Sequence, residues 1–168
     1  MSIRDLTRAA FVERFGGVFE HSPWVAESAF DAGLNSTCET ATALHVLMAS
    51  AMMAGDDVKK LALIMAHPDL AGRLARAGRL TAESTKEQAS AGLDQLTDAE
   101  RARFTELNDA YKARFGFPFI MAVKGRSKDE IMSAFERRIA HDRDQEFSTA
   151  LEEISRIALM RLSDMLPD

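Results

Sequence analysis

Three places in the chain combine residue types able to do acid-base or charge chemistry. His67 immediately precedes Pro68 in the run His67-Pro68-Asp69-Leu70-Ala71-Gly72. A residue before proline is pushed out of the α region, so His67 is expected at a corner where one helix ends and another begins. Imidazole titrates near neutrality and is the usual general acid or base. A histidine that only caps or packs at the turn is the alternative. Next come Ser84, Glu87 and Gln88, which at i, i+3 and i+4 share one helix face opposite Ala89, Leu93 and Leu96. That face offers a carboxylate beside an amide. Ser84-Thr85-Lys86-Glu87 also fits a capping box, in which Glu87 would do no more than satisfy the Ser84 amide. The third place is Arg161, on the same side of a helical wheel as Phe147, Ile154 and Ile157, with Glu152 and Arg156 pointing away. A guanidinium on an apolar face is costly unless it meets an anion, several acceptors or an internal carboxylate, or reaches solvent with its tip. Taken together, the three suit a polar heterocycle bearing a carboxylate.

Positioning them falls to helices. Phe104, Leu107, Tyr111 and Phe115 lie at i, i+3, i+7 and i+11, and Ile131, Phe135 and Ile139 at i, i+4 and i+8. Each set lays one stripe along a helix. Ser22-Pro23 reads as an N-cap followed by proline at the first helical position. Thr97 to Glu100 and Ser127 to Glu130 both fit capping boxes. Gly16-Gly17, Gly78 and Gly116 read as stops, because glycine accepts the left-handed conformation that ends helices. The pattern predicts helices near 2–15, 23–33, 38–54, 56–66, 68–77, 83–96, 98–115, 127–141 and 144–165, an all-α single-domain bundle of about eight to nine helices over residues 1–168.

One stretch breaks the period. Phe115 to Val123 is apolar without helical spacing, and Pro118 forbids a helix interior. We expect an extended apolar connection against the bundle, whose buried amides and carbonyls need partners. Neighbouring helices or a ligand could supply them.

Composition narrows the function classes. The chain of 168 residues, 46% hydrophobic and 28% charged, has the make-up of a globular domain with a core of its own. Its net charge of −5 disfavours nucleic acid, whose phosphates reward clustered Lys and Arg. The lone Cys38 excludes an internal disulfide and a Cys-rich zinc site, and His21, His45 and His141 share no ligand spacing, so no metal is expected. No apolar run approaches the roughly 20 residues of a membrane helix. Arg4, Asp5 and Arg8 replace the apolar core of a secretion signal, and Leu166-Pro167-Asp168 does not match a peroxisomal tail. A cytoplasmic location without membrane association is expected.

Several stretches, in order, resemble the 2-oxo-4-hydroxy-4-carboxy-5-ureidoimidazoline (OHCU) decarboxylases of purine degradation. They are Phe15 to Trp24, His67 to Gly72, Ser84 to Leu93, Asn108 to Ile120, Lys124-Gly125-Arg126, and the terminal Glu153-Ile154 to Arg161-Leu162. The resemblance implies an all-α bundle, commonly a homodimer, that converts OHCU to (S)-allantoin with loss of carbon dioxide and needs no cofactor. It also implies a functional link to the urate-oxidising and hydroxyisourate-hydrolysing enzymes that form OHCU. By resemblance His67 is the proton donor, with Glu87 and Arg161 as essential partners. Pro68, then Ser84, Thr85, Lys86, Glu87 and Gln88, then Phe119, Ile120, Met121, Ala122 and Val123, line the substrate pocket. Two other readings stay open: a helical binding or interaction module, and a cofactor-free lyase or hydrolase acting on a related ureido compound.

Overall fold

Hydroxyl side chains begin several of the helices. In the computed structural model, which describes residues 1–68 and 96–167, Thr7 accepts from the Ala10 amide at 3.2 Å and opens α1 (Arg8–Phe15). α2 (Trp24–Ala32) and α3 (Ala41–Ala54) follow, then α4 (Asp57–Ala66). Beyond residue 95 come α5 (Asp98–Phe115), α6 (Lys128–Arg138) and α7 (Arg143–Met165). No strand occurs among the described residues, and the all-α class stands. No helix among them is long and apolar enough to cross a membrane.

Several boundaries differ from expectation for local reasons. The helix expected over 2–15 is two pieces, because Leu6 and Thr7 adopt extended backbone between a 3-10 turn (Ile3–Asp5) and α1. The helix expected over 38–54 likewise divides into a 3-10 turn (Ser36–Glu39) and α3, with extended Thr40 capping the Ala43 amide at 3.2 Å. Ser22 does not cap α2. Its hydroxyl donates to the Glu20 carbonyl at 2.9 Å, and Pro23 is the flanking residue. Gly116 ends α5 in the left-handed conformation, φ 78°, as a helix stop should. Gly16 instead stays right-handed, and a Cβ there would come within 2.4 Å of the Val12 carbonyl oxygen, so close approach explains it. The helix expected to reach 141 stops at Arg138. The helices expected at 68–77 and 83–96, and the stop at Gly78, fall almost wholly outside the described residues.

The chain forms two compact units, Met1–Ala66 with Ile154–Asp168, and His67–Glu153. In the first, α2 packs on α1 and α3, with Phe11 close to both Phe15 and Phe30. Glu39 accepts from the Ser2 hydroxyl and from the Ile3 amide, tying the two 3-10 turns together. The Ala41 amide, an orphan donor at the start of α3, is satisfied by the Pro167 carbonyl at 2.9 Å. Trp24 lies over Gly55, between α3 and α4, and carries the Lys59 ammonium on its ring face.

The second unit is built around Tyr111. The expected stripe Phe104, Leu107, Tyr111 and Phe115 is buried along α5. Tyr111 meets Phe115, Phe117, Phe119 and Phe135 edge-on or tilted, and Phe119 stacks on Phe135 with centroids 3.8 Å apart. Such clusters contribute beyond their buried area. Thr97 and Glu100 form the full capping box expected for α5, and the Ser127 hydroxyl accepts from the Glu130 amide at the start of α6.

Candidate active site

His67 follows the last residue of α4, outside any helix and 7% exposed. The helix end expected before His67-Pro68 is therefore present, while the helix expected to begin at Pro68 lies outside the described residues. Burial at a non-helical position suits a group whose proton must be directed rather than shared with bulk water.

The second unit also holds the apolar connection after α5. Residues 117–123 are all buried and carry neither helix nor strand. Their main chain answers the question left by the sequence, where neighbouring helices and a ligand were both possible partners. The Ile120 carbonyl accepts from Arg138 Nη1 at 2.6 Å. The Ala122 amide donates to Glu153 Oε2 at 3.0 Å, and the Ala122 carbonyl accepts from Arg126 Nε at 3.1 Å. Among the described residues, no hydrogen bond reaches the main chain of Phe119 or Met121. Protein side chains thus meet the Ile120 carbonyl and both main-chain groups of Ala122. Phe119 and Met121 are buried residues whose main-chain groups have no hydrogen-bond partner among the described residues, an arrangement that a ligand rich in polar groups would complete.

Arg138 is itself held by a buried carboxylate. Glu146, fully buried in the first turn of α7, accepts from Arg138 Nε at 2.9 Å, from the Tyr111 hydroxyl at 2.6 Å, and pairs with His141 Nδ1 at 2.9 Å. The Arg138 guanidinium lies 4.3 Å above the Phe119 ring, a cation-π contact. Burial, then the hydrogen bond to Glu146, pushes the Tyr111 phenol well above its usual range, so Tyr111 stays a donor. Sequence reading missed Arg138 and Glu146. The signal available was two charged residues eight positions apart, each falling on the buried side of its helix.

Beside this segment a hollow of about 400 Å³ opens. Its described lining has Met121 and Arg126 on one side, and Asp129, Glu130, Ser133 and Arg137 of α6 on the other. Of the expected site residues, Met121 alone among those described reaches it.

Arg161, in the first unit, is 5% exposed on the apolar side of α7, where Ile154 and Ile157 are also buried. Its Nη1 donates to Glu20 Oε2 at 2.9 Å and to the Val18 carbonyl at 3.1 Å. Of the possibilities weighed for this side chain, an internal carboxylate partner is present. Glu20 lies within the Phe15 to Trp24 stretch but carried no expected role. Ser84, Thr85, Lys86, Glu87 and Gln88 lie outside the described residues. Among the described residues no group of His, Cys, Asp and Glu could hold a metal ion.

Comparison with known proteins adds the following. The family model described as OHCU decarboxylase matches residues 4–163. A 2-oxo-4-hydroxy-4-carboxy-5-ureidoimidazoline decarboxylase of Halalkalicoccus jeotgali is 43% identical over 168 residues, covering 98% of this chain and 92% of the relative. A uric acid degradation bifunctional protein of a Bacillus species is 37% identical over 163 residues, covering 97% of this chain and 31% of that longer protein. The crystal structure of an (S)-allantoin synthase superposes with a TM-score of 0.76 at 32% identity, over 99% of this chain and 54% of the other.

Proposed function

Because the chain belongs to the OHCU decarboxylase family, we propose that it removes carbon dioxide from OHCU to leave (S)-allantoin, with no cofactor. It is a carboxy-lyase of urate degradation. The observation that carries this reading is the family match over residues 4–163. We assign the activity to one domain over residues 1–168, acting as a cytoplasmic homodimer that works beside urate-oxidising and hydroxyisourate-hydrolysing enzymes. A relative that joins a matching segment to further chain in a uric acid degradation protein supports that functional link.

Decarboxylation leaves an electron pair that needs a sink, and many enzymes recruit a cofactor to supply one. OHCU carries its own, the ring C=N next to the carboxyl-bearing carbon. As the bond to the carboxylate breaks and carbon dioxide departs, the pair forms a ring C=C and displaces the imine electrons onto nitrogen, which takes up a proton. The resulting enol receives a proton on the former imine carbon from His67, and its hydroxyl gives up a proton to become the carbonyl. Delivery from one face sets the S configuration. In this assignment Arg161 fixes the anionic or carbonyl edge of the substrate, and Glu87 and Gln88 orient its hydroxyl and ureido groups. Pro68, Ser84, Thr85 and Lys86 complete the lining with Phe119, Ile120, Met121, Ala122 and Val123. Support for that last stretch comes from the main-chain groups of Phe119 and Met121, which have no partner among the described residues and suit a ligand rich in amide and carbonyl groups.

The test generates OHCU in situ from urate with the two upstream enzymes and follows allantoin by circular dichroism. The protein should speed the appearance of one enantiomer, and His67→Ala should lower turnover by about 10²–10⁴-fold, the usual worth of general acid-base action, with far-UV dichroism unchanged. Racemic allantoin formed at the spontaneous rate would sink the proposal.

A further inference from the structure

Three charged side chains hold the main chain of the segment that the proposed function places against the substrate. Arg138 Nη1 binds the Ile120 carbonyl, Glu153 Oε2 the Ala122 amide, and Arg126 Nε the Ala122 carbonyl. Bonds from charged groups to main chain are shorter and stronger than neutral ones, so the segment is restrained at two alternate residues. Arg138 cannot drift, because Glu146 fixes its Nε and is itself pinned by the Tyr111 hydroxyl. The guanidinium also covers the Phe119 ring from above. Its Nη2 is buried with no hydrogen-bond partner among the described residues and no access to solvent.

We infer that Arg138, Arg126 and Glu153 are positioning residues for the decarboxylation: by holding the main chain of Ile120 and Ala122 they fix the intervening and adjacent main chain of Met121 and Phe119 for substrate. The inference rests on the reading that residues 119–123 line the substrate pocket. It goes beyond it by naming what aligns that wall and which main-chain groups are read. A donor or acceptor that must first be ordered costs binding free energy, whereas one held in place does not. Loosening the clamp therefore weakens capture of substrate more than it slows the proton transfer.

Arg126 provides the cleanest variant, because it is only partly buried and does not touch Glu146. Arg126→Ala should raise KM for OHCU about three- to tenfold, the worth of one ordinary hydrogen bond because the loss reaches substrate only through the segment, with kcat within about twofold. Arg138→Lys, which cannot serve both Glu146 and the Ile120 carbonyl, should raise KM at least as much. A merely structural role would lower the folded fraction instead, reducing apparent kcat and leaving KM unmoved. Either that pattern or wild-type constants in well-folded Arg126→Ala overturns the inference while the decarboxylase assignment survives. Wild-type protein without OHCU turnover overturns both.

Discussion

Arg161 carries its charge into the protein because Glu20 meets it from 141 positions away in sequence. The guanidinium's position was legible from a helical wheel, since its neighbours one and two turns back are apolar. Its partner was not, because Glu20 sits in a turn-rich stretch where no period says which way a side chain faces. A buried ion pair adds little net stability, but breaking one leaves a charge with no counter-charge. With 5% and 1% of the two side chains exposed, Glu20→Gln should destabilise the fold by about 3–5 kcal/mol, read as a lower urea midpoint at unchanged slope. A midpoint equal to wild type would mean that other acceptors already satisfy Arg161. The same contrast holds at His67: Pro68 announces the helix end before it, whereas the histidine's burial depends on packing that no local rule contains.

Helix ends separate what is local from what is not. The Thr97 box was readable because both partners lie within four residues, and Gly116 because its backbone conformation favours glycine whatever surrounds it. Ile139 was expected to complete a buried stripe with Ile131 and Phe135. α6 ends one residue earlier, and Arg138 takes the buried place because Glu146 on α7 receives it. Periodicity places Arg138 on the side of Ile131 and Phe135, but that a carboxylate receives it there depends on two elements meeting, which neither helix alone reveals. The apolar run after α5 was likewise legible as buried, but the side chains that satisfy its main chain come from the loop and helices downstream. At the junction of α3 and α4, Gly55 has no room for a methyl group: a Cβ would stand 2.7 Å from Cη2 of Trp24. Gly55→Ala must push the indole aside, so it should cost about 1–3 kcal/mol and shift the Trp fluorescence of the native state. Unchanged stability and emission would show that Trp24 yields freely.

At the scale of the molecule, composition and period were enough for the all-α class, since core stripes repeat along the chain and need no knowledge of which helices meet. Charge sets the response to acid. Asp31 is held below its usual range by its hydrogen bond to Arg8, Glu39 by the Ser2 hydroxyl and the Ile3 amide, and Glu100 by Lys128 and the Thr97 amide. A carboxylate depressed in the folded state stabilises above its unfolded value of roughly 4, and that contribution disappears as pH falls through the lower folded value. Thermal midpoints should therefore be level between about pH 5 and 7 and drop below about pH 4, each group contributing modestly because Asp31 is exposed and Glu39 and Glu100 are only part-buried. A midpoint that rises on acidification would contradict this sign.

The sequence contains a single tryptophan and a single tyrosine. Trp24 falls in the unit built from the chain's two ends, and Tyr111 anchors the aromatic cluster of the other. Each half thus has a built-in optical reporter, and a melt recorded at both chromophores can distinguish one cooperative transition from two without any label.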